Sequence, residues 1–218
     1  MLDDRLVAIR DTNLLRIEPI WTFPIDEIEG PLYQQYILKN PGYKDIYVRE
    51  PLSEMLAVAA MRMPKKYQLI IRAGHRPLAV QLKLLEMVKQ KYRANNPDAT
   101  GVQALEYART YVSDPTIKLP PHCCGAAVDV DVKDTLTGEL VDFGCPVNTD
   151  SDIAFLDSDE ITQSQKINRN MLLDAMLSAG FAPFAHEWWH FSFGDAIWKD
   201  FYKKKNILYG LIEPDLDR

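Results

Sequence analysis

Cysteine is scarce: three residues, Cys123, Cys124 and Cys145, in a chain of 218. That is too few for a disulfide framework, and the adjacent pair is poorly placed to share one metal, so all three read as buried or half-buried free thiols in a reducing, cytoplasmic setting. A basic excess is also missing. The 25 Lys and Arg against 31 Asp and Glu give a formal charge of -6, which provides no basic field to neutralise phosphates and argues against a nucleic-acid partner. A small zwitterionic ligand stays compatible with it, since such a ligand responds to local charge. Long apolar runs are lacking too. Charges interrupt the opening MLDDRLVAIRDTNLLRIEPIW, and no stretch is long enough for a bilayer, so neither a signal peptide nor a membrane partner is expected. What the chain has in quantity is core-forming residues, 47 % hydrophobic, enough for one large domain. The expectation is a single domain over 1–218 with 1–50 as a covering segment; the oligomeric state is left open.

The pattern along the chain is α+β, with a small central antiparallel sheet and helices packed on it. Pro19, Pro24, Pro31 and Pro41 punctuate residues 1–50, which read as short strands and long covering loops. Residues 51–62 read as a helix opened by a proline. Gln68 to Arg72 reads as a buried strand. After a tight exit at Ala73 and Gly74, Pro77 starts a helix with Leu78, Leu82, Leu85, Val88 and Tyr92 at helical spacing. A short helix is expected near 102–110. AAVDVDV at 126–132 alternates strictly, placing Asp129 and Asp131 on one face and Val128, Val130 and Val132 on the other; with DTLTGELVDF it suggests a hairpin over 126–143. An acidic loop follows at 145–160. Ile167, Met171 and Ala175 with a terminal Gly180 mark another helix. Phe184 to Phe193 reads as a returning strand.

Only four histidines occur, and three stand beside chemically useful neighbours. His122 precedes the strand that carries Asp129, and His190 closes His186-Glu187-Trp188-Trp189-His190. Two imidazoles and one carboxylate are a frequent catalytic zinc set that leaves a position for water; the donors also suit other first-row metals. A bare Asp129 on a buried strand would be costly, and a cation removes that cost. Ordinary turn and surface roles are the alternative for His122 and Asp129. Asp131 either orients a ligand histidine from behind or is the solvated end of its strand. Glu187 stands three residues before His190, which in a strand means opposite faces unless a bulge or turn intervenes. A turn entering the strand, with Glu187 at its mouth, lets Glu187 take a proton from an attacking water and pass one to a leaving amine. His186 is either another ligand or a support. Trp188, Trp189, Phe191 and Phe193 read as core, with one tryptophan able to exclude water from Glu187. Arg76 either grips an oxygen that gains charge or makes a plain salt bridge. His75 beside it positions the corner.

Four motifs in order, GHRP at 74–77, HCCGAAVD at 122–129, VDFG at 141–144 and EWWHF at 187–191, resemble the D-alanyl-D-alanine dipeptidase family, over most of the chain from about residue 20 to 200. The last lacks the proline that related D,D-carboxypeptidases usually carry between the glutamate and the Trp-His pair. The resemblance implies one Zn2+ per chain on His122, Asp129 and His190, with Glu187 as general base and acid. It implies Arg76 as transition-state stabiliser, and hydrolysis of D-Ala-D-Ala to two D-alanines; a small closed pocket, in which both charged substrate termini must be satisfied, is the expected means of limiting the enzyme to dipeptides. It also implies a compact α+β fold with a central antiparallel sheet, and a place in cell-wall peptide metabolism. Two positions depart from the family pattern. Pro120 stands where the family has a serine, and Asn148 where it has an aspartate for the substrate ammonium; Asp150 or Asp152 are candidates for the missing charge. The alternatives are a D,D- or L,D-carboxypeptidase with an open groove, and a catalytically silent metal-stabilised binding module.

Overall fold

The computed structural model describes residues 5–19 and 29–214. Pro24 and the reading of the stretch around it lie outside those residues. The main sheet has five strands in the order β2-β4-β5-β7-β6: β2 (Leu15–Ile17), β4 (Tyr67–Ala73), β5 (Ala127–Asp134), β6 (Ala182–Phe184) and β7 (Glu187–Ser192). The α+β expectation holds, and β4, β5, β7 and β6 pair antiparallel as expected. The edge strand β2 joins β4 in parallel. A separate two-stranded sheet pairs β1 (Leu6–Ala8) with β3 (Tyr47–Arg49).

The middle strands are buried on both faces. Leu69, Ile70 and Ile71 of β4, and Val128, Val130 and Val132 of β5, have no exposed surface. Helices and loops therefore cover the sheet on each side, which is why β4 is a continuous apolar run. Helix α2 (Glu50–Arg62) carries Pro51 in its first turn and buries Leu52, Leu56, Ala59 and Ala60, one stripe of helical period. It stops at Arg62, two residues before Pro64. Helices α4 (Gly101–Tyr111) and α5 (Gln163–Ser178) both open on capping boxes, Thr100 with Gln103 and Thr162 with Gln165, and so satisfy amides that the first turn leaves bare. A short α6 (Ala196–Phe201) follows β7.

Four expectations are corrected. The N-terminal segment contains a full helix, α1 (Glu29–Lys39), because Pro31 falls in its first turn, where no intrahelical N–H is needed. The hairpin over 126–143 shrinks to a single bridge between Lys133 and Leu140, and the chain then turns away toward α5. The strand expected from Phe184 to Phe193 is two strands, β6 and β7, with a turn at 185–186. Helix α3 (Leu78–Asn95) starts after Pro77 as expected and buries Leu85 of the projected stripe, but its other buried residues are Val80, Gln81 and Leu84, and Leu82 is 46 % exposed. Gln81 faces inward because its amide is engaged by Arg76.

His75 shows how the corner after β4 is tied down. Its Nε2 bonds the Ile212 carbonyl at 2.8 Å, and its Nδ1 lies 3.2 Å from the Tyr43 hydroxyl. Burial lowers its pKa from 6.5 to about 4. Between those values the unfolded chain binds a proton that the folded chain does not, so stability falls as pH drops through this window. A loss of about 2 to 3 kcal/mol from this one group is expected at pH 4.5 relative to pH 7. Urea unfolding of His75→Gln at both pH values should show that much less acid sensitivity than the parent chain.

Candidate metal centre and its cavity

Three chain segments deliver the chemistry. Pro120 and Pro121 lead into one turn of 3-10 helix, His122–Cys124, which sits against the corner after β4. There His122 Nδ1 lies 2.7 Å from the Gly74 carbonyl, and the Arg76 amide donates to the His122 carbonyl at 3.0 Å. On its other side the corner packs against β3, and only glycine fits at 74, since a Cβ there would stand 2.5 Å from the Tyr47 carbonyl oxygen. Asp129 and His190 are register partners on β5 and β7. Their side chains meet that of His122 on one face of the sheet.

The ligand-type atoms of His122, Asp129 and His190 all lie within 4.8 Å of one another, and all three residues are buried. His122 Nε2 is 3.2 Å from His190 Nδ1 and 3.3 Å from Asp129 Oδ2, and His190 Nδ1 is 3.1 Å from Asp129 Oδ1. The outer partner of His122 assigns its tautomer. A carbonyl beside His122 Nδ1 requires the proton there, so in neutral His122 Nε2 carries a lone pair. His190 Nε2 faces the Ser192 hydroxyl at 3.2 Å, which lets its Nδ1 be the bare nitrogen. In that tautomer two nitrogen lone pairs and a carboxylate converge with no donor between them, an arrangement that a cation satisfies; without a cation, a proton on His190 Nδ1 bonds Asp129 instead. The donor set fits zinc with three protein ligands. Burial pushes the Asp129 carboxyl up, but His122 and His190 more than offset it and hold the group well below the usual carboxylate range. Burial lowers the His190 proton affinity, and the bond to Asp129 reverses this to a net rise.

Glu187 is the first residue of β7, at the mouth of the strand as read from the sequence. The pairing of β6 with β7 is irregular between Pro183 and Phe184. This irregularity brings Glu187 round to the side of His190, with Oε2 3.6 Å from Nδ1. Burial pushes its carboxyl up to about 7; Asp129 adds to the rise, while His190 and Arg76 oppose it. Trp188 stacks on Phe143 at 4.1 Å and donates to the Cys145 carbonyl at 3.2 Å. Both tryptophans are buried core residues that also line the cavity, as expected.

The remaining candidates separate. Arg76 lines the cavity but makes the salt bridge that was its alternative, to Glu29. Asp131 fills neither role foreseen for it: it is buried in an ion pair with Arg72 at 3.0 Å. His186 is exposed and stacks on Phe155 at 4.7 Å, away from the three-residue cluster. The cavity has a volume of about 1370 Å³, above the usual range of about 300–1,000 Å³ for small-ligand sites, so the small closed pocket expected from sequence is not observed. Residues of the 145–160 loop wall it. That loop is anchored by buried Arg169, which donates to the carbonyls of Phe143, Ile153 and Phe155. Asp150 of the loop lies close to Tyr107 and Tyr111 of α4. Asn148, at φ 65°, donates to Glu29 Oε2 at 3.3 Å. Glu29 was not foreseen; its only sequence signal is an acidic residue ahead of a helical stretch.

A mixed five-stranded sheet holding a buried two-histidine, one-carboxylate cluster beside a glutamate defines the class as a candidate metallohydrolase. The family model described as D-Ala-D-Ala dipeptidase matches residues 35–207, and the chain belongs to that family. Among curated relatives, a D-alanyl-D-alanine dipeptidase of Synechocystis sp. is 36 % identical over 112 residues, covering 43 % of this chain and 44 % of that protein. One from Streptomyces coelicolor is 32 % identical over 81 residues, covering 37 % and 40 %. The chain thus matches less than half the length of these relatives. Among solved structures, the vancomycin-resistance D,D-pentapeptidase VanY from a VanB-type cassette, in complex with Zn(II), has a TM-score of 0.45 at 19 % identity. It covers 76 % of this chain and 84 % of its own. VanYB in complex with D-alanine-D-alanine has a TM-score of 0.46 at 19 % identity, covering 74 % and 80 %. No helix among the described residues is long and apolar enough to cross a membrane.

Proposed function

We propose that this protein is a zinc-dependent dipeptidase that hydrolyses small dipeptides, D-alanyl-D-alanine foremost, to two D-alanines. The observation that carries the reading is the convergence of His122 Nε2, His190 Nδ1 and the Asp129 carboxylate, with Glu187 beside them. Family membership supports the substrate class. His122, Asp129 and His190 would hold one zinc. Bound there, zinc supplies Lewis acidity toward the substrate carbonyl and lowers the proton affinity of water. Glu187 takes the proton of the attacking water and passes it to the departing nitrogen; a carboxyl titrating near neutrality can do both. Arg76 donates an N–H to the oxygen on which negative charge develops. The whole chain acts as one domain, in a cytoplasmic setting supported by three unpaired cysteines, and serves the cell-wall dipeptide pool.

The volume of the cavity favours a second reading, a D,D-carboxypeptidase that trims longer wall peptides. A panel separates the two: D-Ala-D-Ala, its L-containing isomers, and a pentapeptide ending in D-Ala-D-Ala, each with and without chelator. The expected result is chelator-sensitive turnover of D-Ala-D-Ala with little release from the pentapeptide. Metal-loaded protein that cleaves none of them would overturn both readings and leave a silent binding module.

A further inference from the structure

Arg76 is held from two sides. Glu29 Oε1 accepts from its Nε at 2.9 Å and its Nη2 at 2.5 Å, and Gln81 Oε1 accepts from its Nη1 at 2.8 Å. Gln81 is itself fixed, donating through Nε2 to the Ser113 carbonyl at 2.7 Å. Glu29, Arg76 and Gln81 are all buried. A guanidinium is planar with five N–H donors. Three bonds to two acceptors on different helices therefore fix both the position of its carbon and the tilt of its plane. The Tyr33 hydroxyl lies against the same group, so at least one N–H remains for an oxygen in the cavity. Burying a lone guanidinium would be costly, and the Glu29 carboxylate offsets that cost. Glu29 sits in the first turn of α1, ahead of the stretch 35–207 that matches the family model. The Glu29 side of this clamp is thus contributed by the N-terminal segment.

We propose that Glu29 is a positioning residue for Arg76, its carboxylate setting the plane in which the guanidinium meets the substrate oxygen, with Gln81 bracing the opposite side. The inference rests on the reading above that Arg76 acts on the substrate. Misplacing such a group by about 1 Å can cost about a hundredfold in rate. Loss of Glu29 should therefore be felt in kcat more than in KM.

A double-mutant cycle on the zinc-loaded full chain tests this: Glu29→Ala, Arg76→Ala and the double variant, with kcat and KM on D-Ala-D-Ala, zinc content and thermal unfolding recorded for each. Glu29→Ala is expected to lower kcat about tenfold to a hundredfold with little change in KM. Glu29→Gln, which keeps an acceptor oxygen, should recover most of the loss. In the Arg76→Ala background, Glu29→Ala should add less than about twofold, because residues acting through one another are not additive. Independent, multiplying losses would overturn the proposal, and so would an unchanged or raised kcat in Glu29→Ala. Should Glu29→Ala fail to fold, Gln81→Ala and Glu29→Gln run the same cycle. A wild-type kcat in Arg76→Ala overturns the reading of Arg76 itself, a failure distinct from that of the cycle.

Discussion

Glu187→Gln is expected to lower kcat by about 10²- to 10⁴-fold, the usual contribution of a positioned general base and acid, while one zinc per chain stays bound. The two halves of this result come from different parts of the geometry. Glu187 stands outside the three groups whose ligand-type atoms converge, so an amide of the same shape leaves the zinc donors intact. It does remove the proton acceptor that faces them from the mouth of β7. The carboxyl is pushed up to about 7 by burial, with Asp129 assisting, so at neutral pH it can both accept a proton and return it. Below that value the protonated form dominates and the base is lost, so the rate should fall as pH drops; a bound cation attracts the carboxylate form and moves the fall to lower pH. The glutamine variant should lack this acid-side fall altogether. Steady-state kinetics across pH together with zinc content by elemental analysis check the prediction. Near-normal turnover by zinc-loaded Glu187→Gln would end the assignment of the base.

What the residues disclosed in advance, and what they withheld, follows from the range of each signal. The alternation in AAVDVDV placed Asp129 inward, because a strand sends successive side chains to opposite faces. Pro51 and the cap at Gly180 gave helix limits, because both act within one turn. The two histidines and Asp129 were legible as a set because their residue types are rare in the chain and chemically matched. Three features were not legible. Glu187 and His190 lie three apart in a strand, and only the irregular pairing at Pro183 and Phe184 brings them to one side. Asp131 meets Arg72 across β4 and β5, a partner set by register rather than by spacing. Glu29 reaches Arg76 from helix α1, 47 residues away in the chain, and no periodicity connects them. Pro31 misled in the opposite direction: a proline breaks a helix in its interior and is tolerated in its first turn, and the sequence around it does not say which applies.

Asp129→Asn should cost at least about a hundredfold in zinc affinity, since even changes behind a metal's ligands cost about 10- to 100-fold and Asp129 is the only carboxylate among the three. The change keeps the shape of the side chain and removes the charge that both histidines hold in its ionised form. Stability gives a second readout. Free zinc at about 1,000 times Kd stabilises the parent chain by about 4 kcal/mol; at the same zinc concentration a hundredfold weaker site yields only about 1.4 kcal/mol. The zinc-induced rise in Tm should shrink accordingly. The comparison has to be the rise rather than Tm itself, because Asp129 also bonds His190 in the metal-free chain and its loss lowers stability with or without zinc. His122 and His190 are expected to behave alike, since each contributes one of the converging nitrogens. An undiminished zinc-induced rise in Asp129→Asn would mean that the cation, if bound, is held elsewhere. Glu187 and Arg76 would then lose the centre around which their roles are assigned.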